Sequence, residues 1–315
     1  MFNLVLKLII QLLTVIIFAP LLNGIIKKIK ALSQHRKGAP VLQLYFDIIK
    51  LFKKDVVIPE NSSWIFRVTP YIVLISLLIA AVFVPVIPQL FSFSFIGDAI
   101  LLVYIFAAGR FFIVLSGLDT GSTFGGMGSS REMMISSLVE PSFIITVFTL
   151  GLTVNSTNLR DIYEGSVHTN VGVITPVFIL LLSAMMIILL AETARIPVDD
   201  PATHLELTMV HEAMILEYSG RYLAFIELSS AIKQLVLITL IVNVFLPFGS
   251  SGGMGWSLLI TFVLYVIKVI IVTVVVAIIE INSLKLRLFS VPNLAALSFI
   301  LSLLGFMSSF VFGRL

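Results

Sequence analysis

About 20 consecutive apolar residues carry a helix across the hydrocarbon core of a bilayer, and runs of that length fill this chain. They fall near Leu4–Ile26, Thr69–Val86, Ala99–Leu118, Met133–Val154, Val171–Ala191, Tyr222–Phe245, Trp256–Ile281 and Leu294–Phe312. Of 315 residues, 59% are hydrophobic and only 12% charged, where a soluble domain carries roughly 25% charged residues. A water-soluble fold of this size would leave much of that apolar surface exposed. The expected fold is therefore an all-α integral membrane protein of about eight transmembrane helices, a single polytopic domain over residues 1–315. Met1, Phe2 and Asn3 lack the basic start of a secretory signal, so the first run is expected to remain as a helix.

Basic residues orient the spans, because cytoplasmic loops carry the excess of Lys and Arg. With the first loop cytoplasmic, the inner loops hold Lys27, Lys28, Lys30, Arg36, Lys37, Lys50, Lys53, Lys54, Arg67, Arg131, Arg195, Arg221, Lys285 and Arg287. The outer segments hold only Arg160 and Arg314. Both termini are thus expected on the outer side of the membrane, with an even number of crossings. Lys7, Arg110, Lys233 and Lys268 fall within spans, and of these Arg110 and Lys268 need partners. There is no cysteine, so the chain offers no thiolate for a disulfide, an iron–sulfur cluster or a zinc site.

Two loops differ in character. In Val41–Lys54 the polar residues Gln43, Asp47, Lys50 and Lys54 recur at spacings of four and three, on one helical face. That pattern predicts an amphipathic helix lying in the membrane surface. Either lipid or a soluble partner could cover it. Gly121–Ser130 is glycine-rich, but it lacks the preceding strand and the Lys-Ser/Thr ending of a phosphate cradle, and it reads as a flexible connector.

The most informative stretch runs from Ala191 to Glu227. Glu192 ends the fifth span, with Arg195 placed one turn later as its expected ion-pair partner. Asp200 before Pro201 reads as a helix start. The predicted helix extends to about Tyr218, where Ser219 and Gly220 break it. Glu206 and Glu217 share one of its faces, His204 and His211 another, and Glu212 points away from both. Glu227 enters the sixth span, followed by Lys233, while Glu140 stands inside the fourth span beside Pro141.

Carboxylates beside lipid are costly, so they normally face a protein interior or a hydrated path. Two readings follow. The acidic set either forms a proton relay or consists of ion pairs that hold helices together, such as Glu192 with Arg195 and Glu227 with Lys233. The histidine spacing is not that of a metalloprotease, and no metal is assigned.

Three segments carry a family resemblance: Gln34–Asp55, Arg131 followed nine residues later by Glu140, and ETARIPVDDP with LEYSG, Glu192–Pro201 and Leu216–Gly220. Across nearly its whole length the sequence resembles the membrane subunit that joins the two arms of respiratory complex I. It is more similar still to that subunit's counterpart in group 4 nickel-iron hydrogenases of the formate hydrogenlyase and Hyf type. The resemblance implies an anchor and coupling subunit bound to a hydrogenase large subunit, an iron–sulfur small subunit and antiporter-like membrane subunits. The nickel-iron and iron–sulfur centres would lie on those partners, with no cofactor in this chain.

By the same resemblance, Glu140, Glu192, Glu206, Glu212, Glu217, Glu227 and Lys233 would form the proton path. Gln43, Asp47, Arg131, Arg195, Asp199 and Asp200 would shape its inner mouth against the soluble partners. The first-loop segment between Gly38 and Val41 is shorter than the quinone-lining stretch of complex I, and Ser230 stands where complex I would carry a Glu, with Glu227 arriving earlier. Quinone is therefore not expected, and neither is nucleic acid. A quinone-chamber subunit and a stand-alone ion transporter are the alternatives.

Overall fold

The computed structural model describes residues 2–86, 98–168, 176–199, 209–248 and 256–312. Its elements in chain order are α1 (Phe2–Ser33), α2 (Gln43–Phe52), α3 (Trp64–Phe83), α4 (Ala99–Asp119), α5 (Thr123–Val154), α6 (Leu159–His168), α7 (Pro176–Glu192), α8 (His211–Ile215), α9 (Gly220–Phe245), α10 (Trp256–Asn282) and α11 (Val291–Phe312), with a 3-10 turn at Leu288–Ser290 before α11. Among the described residues, seven helices are long and apolar enough to cross a membrane: α1, α3, α4, α5, α9, α10 and α11. The eighth expected span, α7, has 17 residues, or about 25 Å of helix, at the short end of what spans a bilayer.

Polar side chains start these helices where the apolar runs begin. Ser63 caps α3 by accepting from the Ile65 N–H, Asp98 caps α4 at Ile100, and Ser122 caps α5 at Gly125. Each cap satisfies an N–H that the first helical turn leaves open. Asp119, at the end of α4, also accepts from the backbone N–H of Ser63 at 2.8 Å and so ties the end of α4 to the start of α3.

The glycine-rich stretch is not a connector. Thr123 opens α5, which takes in the whole GGMGSS string. Its glycines serve close packing: a Cβ on Gly128 would stand 2.8 Å from the Val210 carbonyl oxygen and 2.9 Å from the Ala213 side chain.

Helix α9 is the axis of the bundle. In its most apolar window 72% of residues are buried, against 22–50% in the other long helices. Helices α3 and α1 pack on it directly, α4 and α5 continue from α3, and α7 and α11 pack on α5. The outer faces of α1, α10 and α11 expose Ile9, Leu13, Val263, Ile267, Ile300 and Leu304. Such a belt suits lipid or membrane partners rather than water.

The amphipathic helix appears as α2, with Leu44 and Ile48 buried beneath it. It is pinned close to α1. The Val41 carbonyl lies where a Cβ on Gly24 would be, at 1.9 Å, and the Tyr45 hydroxyl donates to the Ile17 carbonyl.

Candidate functional site

Four helices bring charged side chains together inside the bundle. Arg110 of α4 donates to Glu192 at the end of α7, and its Nη1 donates to Glu140 of α5 at 2.6 Å. The Arg110 Nε lies 3.5 Å from Glu132, about two turns before Glu140 on α5. Lys233 of α9 reaches the second oxygen of Glu192 at 2.7 Å. The Glu192 side chain is 2% exposed. A carboxylate at a helix C-terminus opposes the helix dipole, and burial adds a desolvation cost. The two cations offset both.

Glu192 therefore does not pair with Arg195. The reason is local backbone: Ala194 has φ +48°, and the Arg195 N–H bonds back to the Leu190 carbonyl at 2.9 Å. This left-handed helix ending turns Arg195 off the helical register that the pairing assumed. Arg195 enters a second buried cluster, donating to Glu280 of α10 at 3.1 Å, to Gln234 of α9 at 2.6 Å and to Asn23 of α1. Lys30 of α1 holds the other Glu280 oxygen at 2.9 Å. The expected Glu227–Lys233 pair is absent too, because six residues place the two on different faces of α9. Glu227 is half-buried and makes no ion pair among the described residues.

A cavity of about 50 Å³ adjoins the first cluster, lined by Arg110, Glu132, Glu192, His211, Ser229 and Lys233 among others. At roughly 10–15 Å³ of accessible volume per water, it has room for about three to five waters. Its walls mix apolar side chains such as Val73, Leu77, Phe106 and Ile113 with these charged and hydroxyl groups, which offer water hydrogen-bond partners that a purely apolar void lacks.

The other expected site residues distribute around this centre. Gln43 and Asp47 bond each other at 2.9 Å on α2. Arg131 donates to the Met209 carbonyl at 2.9 Å, holding the segment before α8 against α5. Asp199 takes Lys285 at 2.8 Å and accepts the backbone N–H groups of Val210 and His211 at 3.2 Å each. Glu212 is partly buried on α8, and Glu217 is exposed just beyond it. Asp200, His204 and Glu206, with most of the helix predicted after Pro201, lie outside the described residues.

Tyr218 closes this region. Its ring stacks on Phe66 with centroids 4.0 Å apart, and its hydroxyl donates to the Phe66 carbonyl at 3.0 Å. Burial pushes its hydroxyl up to about 12. At mid-α10, Lys268 finds its partners in the Leu246 carbonyl, at 2.6 Å, and the Phe248 carbonyl.

Sequence reasoning missed Glu132 and Glu280. A signal for Glu280 existed: a lone carboxylate between Ile279 and Ile281 at the end of an apolar run carries the same cost that singled out Glu140. Glu132, beside Arg131 at the edge of a span, gave no such signal. Among the described residues no group of three His, Asp or Glu side chains is arranged to hold a metal.

The fold and the buried centre define a class: a multi-pass membrane protein organised around an internal ionic cluster. The chain belongs to the NADH dehydrogenase family, whose match runs from residue 6 to residue 310. It is 35% identical to formate hydrogenlyase subunit 4 of Escherichia coli over 304 residues, covering 95% of this chain and 96% of that protein. With hydrogenase-4 component C of the same organism it shares 36% identity over 251 residues, 80% of this chain and 78% of that one. A subunit of the NADH-quinone oxidoreductase of Pelagibacter ubique is 27% identical, with 83% of each chain covered. In fold it matches a chain of the membrane-bound sulfane sulfur reductase, an archaeal respiratory membrane complex, at TM-score 0.85 and 17% identity, over 97% of this chain and 99% of that one.

Proposed function

We propose that this chain is the membrane anchor and coupling subunit of a membrane-bound hydrogenase complex. It would join a cytoplasmic nickel-iron and iron–sulfur module to antiporter-like membrane subunits and conduct protons through its buried carboxylates. What carries the reading is Glu192, held between Arg110 and Lys233 beside a polar cavity, in a chain whose relatives include a formate hydrogenlyase subunit and a hydrogenase component. Ionisable side chains buried among membrane helices commonly form proton relays. The path would enter near Glu212 and Glu217 and take in Glu206, with Asp200 assigned to its inner mouth. It would cross the cavity to Glu192 and leave along Glu140, whose side chain is 34% exposed. Glu227 and Lys233 would extend it along α9.

Gln43, Asp47, Arg131, Arg195 and Asp199 would hold the mouth in shape against the soluble partners. The redox centres belong to those partners, and both termini would face the outer side of the inner membrane. Quinone has little claim on the first loop, where α2 is fastened to α1 at Gly24 and Ile17.

Purification from native membranes tests this directly. The chain is expected to bring down a nickel- and iron-bearing partner that evolves or consumes hydrogen regardless of quinone analogues. A chain that purifies alone and stable in mild detergent would contradict the proposal. Inhibition by quinone analogues, with protection at Gln43 or Asp47, would replace it with the quinone-chamber reading. Transport by liposomes holding only this chain would replace it with a stand-alone transporter.

A further inference from the structure

One face of α5 is unlike the lipid-facing side of α10. On α10 the exposed positions Ile260, Val263, Ile267, Ile271 and Val275 are all aliphatic, as lipid tails require. On α5, Met133, Ser137, Pro141 and Phe148 are exposed, and at about 100° per residue they share one face. Glu140 stands at the edge of that face with its side chain 34% exposed.

Depth makes this exposure costly. Helix α5 has 32 residues, starting at Thr123, so it is about 48 Å long and Glu140 lies about 26 Å along it. A hydrocarbon core about 30 Å thick covers that point wherever it sits along the helix. Acidic residues at such depth almost always face a bundle interior or a water-filled cavity and pair there. Glu140 does so only in part. Its Oε1 accepts from Arg110 at 2.6 Å, while its Oε2 has no partner among the described residues, and Glu140 is not among the residues lining the cavity. Pro141, inside the helix, has no N–H to give the Ser137 carbonyl one turn back. Neighbouring positions on this face thus present acceptors, for which lipid tails hold no donor. A second copy of this chain, packed about a two-fold axis, would set one Glu140 against another.

We propose that this face of α5 seats a transmembrane helix of a partner subunit, and that the partner helix brings a Lys or Arg side chain to Glu140. A cation answers the open Glu140 oxygen directly, and its aliphatic stem covers apolar surface beside it. Arg110 is shared among Glu132, Glu140 and Glu192, so Glu140 is the carboxylate that a cation from outside can reach. The small Ser137 side chain lets the two helices approach closely. This rests on the reading above that the chain assembles with membrane subunits, and it assigns the face they take; it does not require that protons cross.

Photocrosslinking in native membranes tests it. The chain has no cysteine, so Ser137→Cys on this face, or Ile271→Cys on α10, gives a benzophenone probe a single point of attachment. The probe at residue 137 should capture a transmembrane segment that carries a Lys or Arg within one helical turn of the adduct, identified by mass spectrometry. The probe at residue 271 should label lipid. Adding Glu140→Gln to Ser137→Cys should lower the adduct yield about tenfold or more, the effect of removing one member of a charge pair across an interface. Glu140→Asp should restore much of that yield, which separates loss of the charge from loss of the fold. Lipid labelling alone from residue 137, an adduct with a second copy, or a captured segment with no basic residue there would each overturn the inference. The nickel content of the same preparation reads the assembly separately. Lipid-only labelling in a nickel-bearing complex defeats this inference and leaves the hydrogenase reading standing, and the expected adduct in a nickel-free preparation does the reverse.

Discussion

Two buried ionic clusters lie a few residues apart along the same segments, and they are built differently. Glu192 and Arg195 come from one turn of chain, and Lys233 and Gln234 from one position on α9, yet each adjacent pair divides between the clusters. At Glu280 both carboxylate oxygens meet a cation, Arg195 on one and Lys30 on the other, and the amide oxygens of Asn23 and Gln234 accept from the Arg195 Nη2, while the Gln234 Nε2 makes no hydrogen bond. None of these side chains lines the cavity beside Glu192. The Glu192 cluster has an excess carboxylate, an unbonded guanidinium nitrogen and room for water. A cluster whose single carboxylate is saturated by two cations fixes helices, because losing that carboxylate leaves both cations unpaired. A cluster with more carboxylates than cations can lose one carboxylate and still pair Arg110.

The largest expected effect lies in the saturated cluster. Glu280→Ala strands Arg195 and Lys30 without their anion, and breaking a buried pair in this way typically costs about 3–5 kcal/mol. Thermal denaturation in detergent should show a large drop in midpoint or no assembled protein. A near-parental midpoint would erase the distinction between the clusters.

Tyr218 measures what it takes to hold the wall that carries α8 and His211. Tyr218→Phe keeps the stack on Phe66 but loses the bond to its carbonyl, for an expected cost of about 1 kcal/mol. Its hydroxyl also gives a pH signature. Burial raises it to about 12 in the fold, above the ordinary value near 10. Its contribution to stability should therefore be complete below about pH 10 and vanish as the pH climbs towards 12. Ultraviolet titration of the phenolate, compared between parent and Tyr218→Phe, reads this out.

The smallest effect should come from the surface. Arg160 and Glu164 pair at 2.7 Å with side chains 41% and 49% exposed, and such a helix pair contributes about 0.3–0.5 kcal/mol. Arg160→Ala in the same denaturation series sets the floor against which Glu280→Ala is judged.

The spans are legible in the sequence because lipid demands long apolar runs whatever they pack against, and α2 is legible because its period matches one helical face. The partners of the charges are not. Closeness in sequence pairs Glu192 with Arg195 and Glu227 with Lys233. The fold instead uses a left-handed residue at Ala194 to separate the first two and brings in Arg110 from a helix 82 residues away. Long-range partners leave no local periodicity, so only the need for one can be read from a lone buried charge. The glycine-rich string misleads for a similar reason: glycines that admit a neighbouring backbone resemble glycines that let a loop bend. Arg110 stands out in the sequence as needing a partner, and in the fold it meets three.

The most direct test is Glu192→Gln in the complete complex, reconstituted into liposomes so that hydrogen turnover and proton movement are followed together. Gln keeps the size and one acceptor oxygen, and Arg110 keeps Glu132 and Glu140, so assembly should survive. The account predicts a loss of coupled turnover of about tenfold or more, a barrier increase of at least about 1.4 kcal/mol. A fully assembled Glu192→Gln complex that turns over and moves protons like the parent would contradict it.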